Sequence, residues 1–339
     1  MRTLPHRLVR LLLLLSVLAL GAGVLAACGS GSESPQGSAP SGEGGAFPVT
    51  VQHKYGSTTV PAAPQRVVSL GYTDQDALLA LGVVPVAIRE FTGEQPSATW
   101  PWARDKLGGA QPQVIPLAGP TTESLAALQP DLIVGISAGL TQAQYDDYSR
   151  IAPVIASPTG FADYGVPWQD ATKLTGQAVG RTAEADKLVS DLEARIAQTR
   201  QQNPQLEGKT IASVLPSTDA GGGFFVYGPQ DLRSRFFASL GLKGVPALDQ
   251  VAGDKFYGQF SAEQLGQLNQ ANILALIPSS PSQVAPFTAQ PGWQNLNAVK
   301  AGKAQTFQGE TAAALTFSSV LSLPSVLDTV PKQLAGAAG

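Results

Sequence analysis

Short apolar runs alternate along this chain with segments whose apolar residues fall three and four apart, so a strand rhythm and a helix rhythm take turns. Arg66 to Leu70, Val83 to Ile88 (interrupted by Pro85), Gln113 to Leu117, Asp131 to Ile136 and Ala152 to Ala156 read as strands. Between them, Thr73 to Leu81 (closed by Gly82), Thr122 to Leu128 and Thr141 to Arg150 carry helical spacing behind capping hydroxyls. A hairpin precedes them, with Phe47 to His53 and Ser57 to Val60 flanking Lys54-Tyr55-Gly56. The alternation returns later, with strands over Thr210 to Leu215, Asn272 to Ile277 and Ala304 to Gln308, and with Gly221-Gly222-Gly223 leading into Phe224 to Tyr227. The helices there cover Leu232 to Leu240, Ala262 to Leu268 and Ser318 to Leu334, the last bent at Pro324.

Residues 167–203 interrupt this rhythm, because they hold no strand signal. From Thr182, read as the cap, Ala185, Leu188, Val189, Leu192 and Ile196 form one helical face, and Pro204 ends it. Some 22 residues at 1.5 Å each make a rod of roughly 33 Å, about the width of a domain. The expected fold class is therefore α/β: two α/β lobes with mainly parallel sheets, 47–166 and 204–339, joined by a single long interlobe helix within 167–203. Parallel sheets place ligands beyond the carboxyl ends of their strands, here the loops Gly71-Tyr72, Arg89 to Arg104 and Ser137 to Leu140. An internal echo supports two related lobes. Thr121 stands two before Glu123 and Ser261 two before Glu263; each Glu has Leu two and five after it, and then a strand.

The first 27 residues are of another kind. A basic stretch, MRTLPHRLVR, runs into an apolar core and then Leu25-Ala26-Ala27-Cys28, a secretory signal whose end resembles the bacterial lipobox. That resemblance implies cleavage before Cys28, the only cysteine, and lipidation of its thiol. Residues 28–46 are rich in Gly, Ser and Pro and read as a disordered leash. The protein is then expected on the extracytoplasmic face of a cell membrane, held by lipid and spanning nothing.

Composition narrows the chemistry. At 43% hydrophobic and 14% charged residues, the body should fold as a globule. Net charge is −3 although three arginines stand in the first ten positions, so the body is acidic and nucleic acid is not an expected partner. Gly135-Ile136-Ser137-Ala138-Gly139 fits the nucleophile-elbow pattern. A serine hydrolase would need a histidine later in the chain, and the two histidines, His6 and His53, both precede Ser137. One mature histidine and a lipidated cysteine do not make a zinc or manganese site, and no phosphate-cradling glycine loop is present, so neither metal nor nucleotide cofactor is expected. Aromatics and cations in the cleft loops remain: Tyr72, Arg89, Phe91, Trp100, Trp102 and Arg104 in the first lobe, then Phe224, Tyr227, Arg233, Arg235, Lys255, Phe256, Tyr257 and Trp293 in the second. Rings give large contact area at small entropic cost, which suits a ligand wall.

Several ordered stretches carry a family resemblance: Val60 to Leu70, Ala77 to Val86, Glu123 to Gly135 (ESLAALQPDLIVG), Ile151 to Ile155, and Gly292 to Lys303. Together they resemble the iron-siderophore substrate-binding proteins of ABC importers, over nearly everything from Phe47 onward. The resemblance implies two lobes joined by one long helix and no enzymatic activity. It implies capture of a ferric siderophore by a monomer and delivery to an ABC permease. The siderophore would hold the iron; arginines would answer its anionic oxygens and aromatics its apolar shell. It also implies that Glu123 and Glu263 meet arginines of the permease, and that Phe256, Tyr257 and Trp293 face ligand. Tyr72, Arg89, Trp100, Trp102 and Tyr227 complete the expected wall. Some hydroxamate binders carry an Arg where this chain has Ala118-Gly119-Pro120, and Arg89 or Arg104 is the candidate substitute. The same fold also carries haem and corrinoid binders. A serine hydrolase using Ser137 and a purely structural lipoprotein are the rivals from other classes.

Overall fold

The computed structural model describes residues 47–218 and 221–339; the signal segment, Cys28 and the leash lie outside the described residues. Val49–His53 (β1) and Gly56–Val60 (β2) form the expected antiparallel hairpin, pinned by the buried Val51 and Val60. Val67–Ser69 (β3), Ala87–Arg89 (β4), Gln113–Ile115 (β5), Leu132–Gly135 (β6) and Val154–Ala156 (β7) make a sheet in the order β5-β4-β3-β6-β7, with every pair parallel. Every residue of β3, β6 and β7 is buried, which is why they read as continuous apolar runs rather than alternating ones.

The second sheet is mixed. Ile211–Pro216 (β8), Ile273–Leu276 (β11) and Ala304–Thr306 (β12) are parallel, whereas Phe224–Tyr227 (β9) and Tyr257–Phe260 (β10) run antiparallel at the other side, in the order β10-β9-β8-β11-β12. Phe256 to Gly258, read from sequence as loop, thus opens an edge strand. Burial in β10 alternates, so it has no continuous apolar run.

Residues 167–203 fold as two helices, Trp168–Ala178 and Thr182–Gln202, not one. Gly180, at a φ of 70°, turns the chain between them in a conformation that side chains resist. Thr182 is the first residue of its helix rather than the cap. The second helix makes the crossing, with Ala185, Val189, Leu192, Ile196 and Thr199 buried along one face. Ala185 packs in the core around Val134 and Ile155, while Leu192 and Ile196 pack in the core around Phe236 and Leu323. One rigid rod therefore has an end in each lobe.

The expected closing helix is also broken. Gly309–Phe317, Ser322–Val326 and Val330–Ala338 replace it, the first extending well before the predicted start. Ser318 adopts a left-handed conformation at the end of the first. The N–H groups of Ser319 and Ser322 then each donate to the other residue's hydroxyl at 2.9 Å, which competes with continued helix. The break brings Ser319 and Phe317 against the first lobe. Ser319 and the Trp102 indole (2.9 Å) both donate to the buried Asp76 of the helix Asp74–Ala80, and Phe317 meets Trp102 edge-on at 5.2 Å.

Candidate ligand cleft

Loops leaving the carboxyl ends of β3, β4, β6, β11 and β12 converge where the lobes face each other. They enclose two adjoining cavities of about 510 and 250 Å³ that share Phe91, Tyr227, Arg233 and Thr316. Such a volume suits a ligand of several hundred daltons.

One side of the cleft is a run of aromatic rings. Trp100 stacks on Trp102 at 5.3 Å, Trp102 meets Phe317, and Phe317 meets Phe91 at 5.5 Å. Phe91 stacks on Tyr72 at 4.4 Å, Tyr72 on Tyr164 at 5.2 Å, and Tyr164 meets Phe256 at 6.5 Å. The run starts in the first lobe, enters the second at Phe317, returns, and ends in the second at Phe256. Tyr72 is placed by its own backbone, whose N–H donates to the Ser137 carbonyl at 3.1 Å. Ser137 is placed in turn by Asp74, which accepts the N–H groups of Ile136 (2.8 Å) and Ser137 (3.1 Å). Burial pushes the Asp74 carboxyl up to about 6, although those N–H bonds oppose the shift.

The facing side carries one built ion pair. Asp231 caps the helix Leu232–Ser239 through the Arg233 N–H, and its carboxylate accepts from Arg233 Nε at 2.8 Å and from an end nitrogen at 2.6 Å. The guanidinium also donates to Thr316 at 3.0 Å and lies 3.7 Å from the centre of the Tyr227 ring. Burial works against its charge, but Asp231 and Tyr227 outweigh it and hold the Arg233 pKa above its ordinary value. Burial likewise pushes the Tyr227 phenol up.

The expected wall is therefore assembled only in part. Tyr72, Trp100, Tyr227, Phe256 and Tyr257 line the cavities, and Tyr257 is 45% exposed at the mouth. Trp293 does not: it is 3% exposed and packs at 5.1 Å on Phe287 inside the second-lobe core. Removing such a ring costs about 3–5 kcal/mol in stability, so its role is packing. Trp102 is the donor to Asp76 at the lobe junction and stands behind Trp100. Arg89 stands beside Gly119, where the Ala118-Gly119-Pro120 turn lacks an arginine, but its guanidinium donates to the Leu117 carbonyl (2.6 and 3.0 Å) and to those of Leu70 and Ala138. It also lies over the Tyr72 ring at 4.6 Å, so it braces that ring. Arg104 is exposed and donates to Gln95. Tyr164, Asp231 and Thr316 were not expected. Tyr164 sits alone among loop residues with no periodic neighbour, and Asp231 reads in sequence only as a helix cap.

Ser137 lines the smaller cavity at 3% exposure, and its hydroxyl accepts from Thr73. His53 lies in the hairpin, where Thr58 takes Nε2 at 2.8 Å and the Tyr55 N–H donates to Nδ1 at 3.2 Å. Burial lowers the His53 pKa, as expected for a neutral core imidazole. Among the described residues no group of three or more His, Cys, Asp or Glu side chains is placed to hold a metal ion, and no helix is long and apolar enough to cross a membrane.

Glu123 and Glu263 line neither cavity. Each is exposed in the first turn of its helix, two residues after a capping hydroxyl. Thr121 accepts the Ser124 N–H at 3.2 Å, and Ser261 and Gln264 form a reciprocal capping box. The expected helix from Ala262 is present as a 3₁₀ helix, Ala262–Gln270. A hydrogen bond from Ser261 lowers the Glu263 pKa and keeps it ionised.

A family model described as periplasmic binding protein matches residues 67–308. The Fe(3+) dicitrate-binding periplasmic protein FecB of Escherichia coli (strain K12) is 30% identical over 270 residues, covering 80% of this chain and 85% of that one. A periplasmic solute binding protein from Mycobacterium smegmatis str. MC2 155 superposes with a TM-score of 0.77 at 35% identity, over 86% of this chain and 99% of that chain. PiaA from Streptococcus pneumoniae TIGR4, in complex with ferrichrome, superposes with a TM-score of 0.74 at 25% identity, over 86% of this chain and 98% of its own.

Proposed function

The chain belongs to the periplasmic binding protein family, and from that premise we propose that it captures a ferric siderophore in the interlobe cleft and delivers it to an ABC permease. The observation that carries this reading is the ring-lined cleft itself, built from loops of both lobes and crossed by a single rigid helix. A ring wall suits the organic shell of a chelate. The Tyr227 phenol is a donor that suits an amide or carbonyl oxygen. The siderophore's own oxygens hold the iron, the protein contributes no metal ligand and no resident cofactor, and Ser137 has no catalytic role. The protein acts as a monomer.

Titration with ferric siderophores, read by quenching of Trp100 and its stacked partner Trp102, tests the reading directly. Saturable quenching is expected; none with any ferric chelate, haem or corrinoid would refute it. Haem or a corrinoid as ligand would declare itself by its own visible bands.

Glu123 and Glu263 are the docking points for permease arginines. The double change Glu123→Ala, Glu263→Ala should leave ligand affinity intact and reduce uptake by a reconstituted permease. Charge reversal to Lys should reduce it further, because like charges across an interface cost more than a lost attraction. Normal uptake in the double variant would leave both residues as helix-end carboxylates only. The anchor is the lipid on Cys28, which holds the protein at the extracytoplasmic face of the membrane. Cys28→Ser should move it from the membrane fraction to the soluble extracytoplasmic one, and undiminished membrane retention would rule that anchor out.

A further inference from the structure

The charge of the cleft narrows the ligand further, given the siderophore reading above. Of the described residues lining the two cavities, only Asp231 and Arg233 are charged. They cancel each other through a two-point fork at 2.6 and 2.8 Å, with the Arg233 side chain 14% and the Asp231 side chain 4% exposed. Arg233 has further engaged an N–H with Thr316 and its face with Tyr227. Behind the rings Arg89 adds one positive charge, turned to backbone carbonyls and not to the cavity. The lining of the cleft is thus close to electroneutral, with the one charge of Arg89 behind its rings.

Ferric ion carries three positive charges. Three hydroxamates supply three negative ones, so a ferric trihydroxamate is neutral; three catecholates supply six and leave a trianion. Ferric citrate complexes are likewise anionic. Drawing an anion with several uncompensated charges into a ring-lined cleft costs desolvation that this wall does not return. We infer that the cleft selects an electroneutral ferric chelate of the trihydroxamate kind over anionic catecholate and citrate chelates. Its specificity then differs from that stated in the name of the E. coli relative, whose ligand is Fe(3+) dicitrate.

The test is a set of quenching titrations on the purified protein with ferrichrome, ferric enterobactin and ferric citrate. Ferrichrome should bind at least ~100-fold more tightly than either anion, a lower bound for burying unpaired charge. Its affinity should also barely change between ~0.01 and ~1 M salt, because a neutral ligand has no charge to screen. In Asp231→Asn, which keeps an oxygen for the helix cap and frees the guanidinium charge, the ratio of the anions' dissociation constants to that of ferrichrome should fall by at least ~10-fold, as one unit of opposite charge predicts. An anion that binds the unaltered protein as tightly as ferrichrome overturns the charge selection and leaves the siderophore reading standing. Failure of all three chelates overturns the charge selection, and the siderophore reading falls with it only when no other ferric chelate quenches either. If Asp231→Asn does not fold, the panel and salt series on the unaltered protein still decide.

Discussion

Asp76→Asn should gain about 2 kcal/mol in stability relative to the unaltered protein between about pH 4 and about pH 7. Asp76 is 1% exposed at the junction of the lobes, and burial raises its pKa from 3.8 to about 6 against the opposing hydrogen bonds of Ser319 and Trp102. A carboxyl whose pKa is higher folded than unfolded binds its proton more tightly in the folded state. Its stabilising contribution is complete below about 3.8 and is lost as pH rises through about 6. At neutral pH the charge is buried beside two neutral donors, with no cation to answer it. Asparagine keeps an acceptor for Ser319 and Trp102 and cannot ionise, so its profile lacks that loss. Asp74 shifts in the same direction and cancels in the comparison, being present in both proteins. Urea unfolding at the two pH values measures the difference, and parallel profiles would show that Asp76 does not titrate between them.

Gly139→Val should destabilise the protein by about 2–5 kcal/mol and abolish ligand binding. Gly139 has a φ of 61°, where a β-branched residue is an outlier. A Cβ there would lie 2.3 Å from the Tyr164 hydroxyl and 2.4 Å from the ring carbon bearing it. The last glycine of the elbow-like Gly135-Ile136-Ser137-Ala138-Gly139 turn therefore makes room for a ring of the wall, not for a nucleophile. Adding Tyr164→Ala should recover the overlap, about 1–3 kcal/mol, and leave the backbone strain. Denaturation of the two single variants and the double variant gives the coupling. Strict additivity would mean that Tyr164 moves aside freely and that the stack on Tyr72 is not a fixed wall.

Which of these features could be read from residue order depends on the range of the interaction behind them. The first sheet was legible because each of its central strands is buried on both faces and spells a continuous apolar run. The second was half legible: β8 and β11 announce themselves in the same way, but β10 is an edge strand with alternating burial and looks like loop. The crossing helix was legible from its buried stripe, Ala185 to Thr199, although the turn at Gly180 divides the segment it belongs to. The closing helix failed where Ser319 and Ser322 bond each other's backbones, since serine hydroxyls give no periodic signal.

Aromatic residues show the boundary most clearly. Four tryptophans in the described chain offered no local means to tell wall from core. Trp100 faces the cleft, Trp102 donates to Asp76 at the lobe junction, Trp293 fills a second-lobe core, and Trp168 packs against the core around Phe236 and Leu323. By itself the sequence determined the alternating elements, the rod between the lobes and the capped glutamates at Thr121 and Ser261, because periodicity and helix caps act within a few residues. Only the tertiary structure decided that Tyr164 joins the ring wall, that Arg89 is engaged by carbonyls and that Arg233 is neutralised by Asp231 on the cleft wall. Each of those outcomes depends on which distant strand end, loop or helix start arrives beside the side chain, and burial then sets whether its charge or ring is available to a ligand.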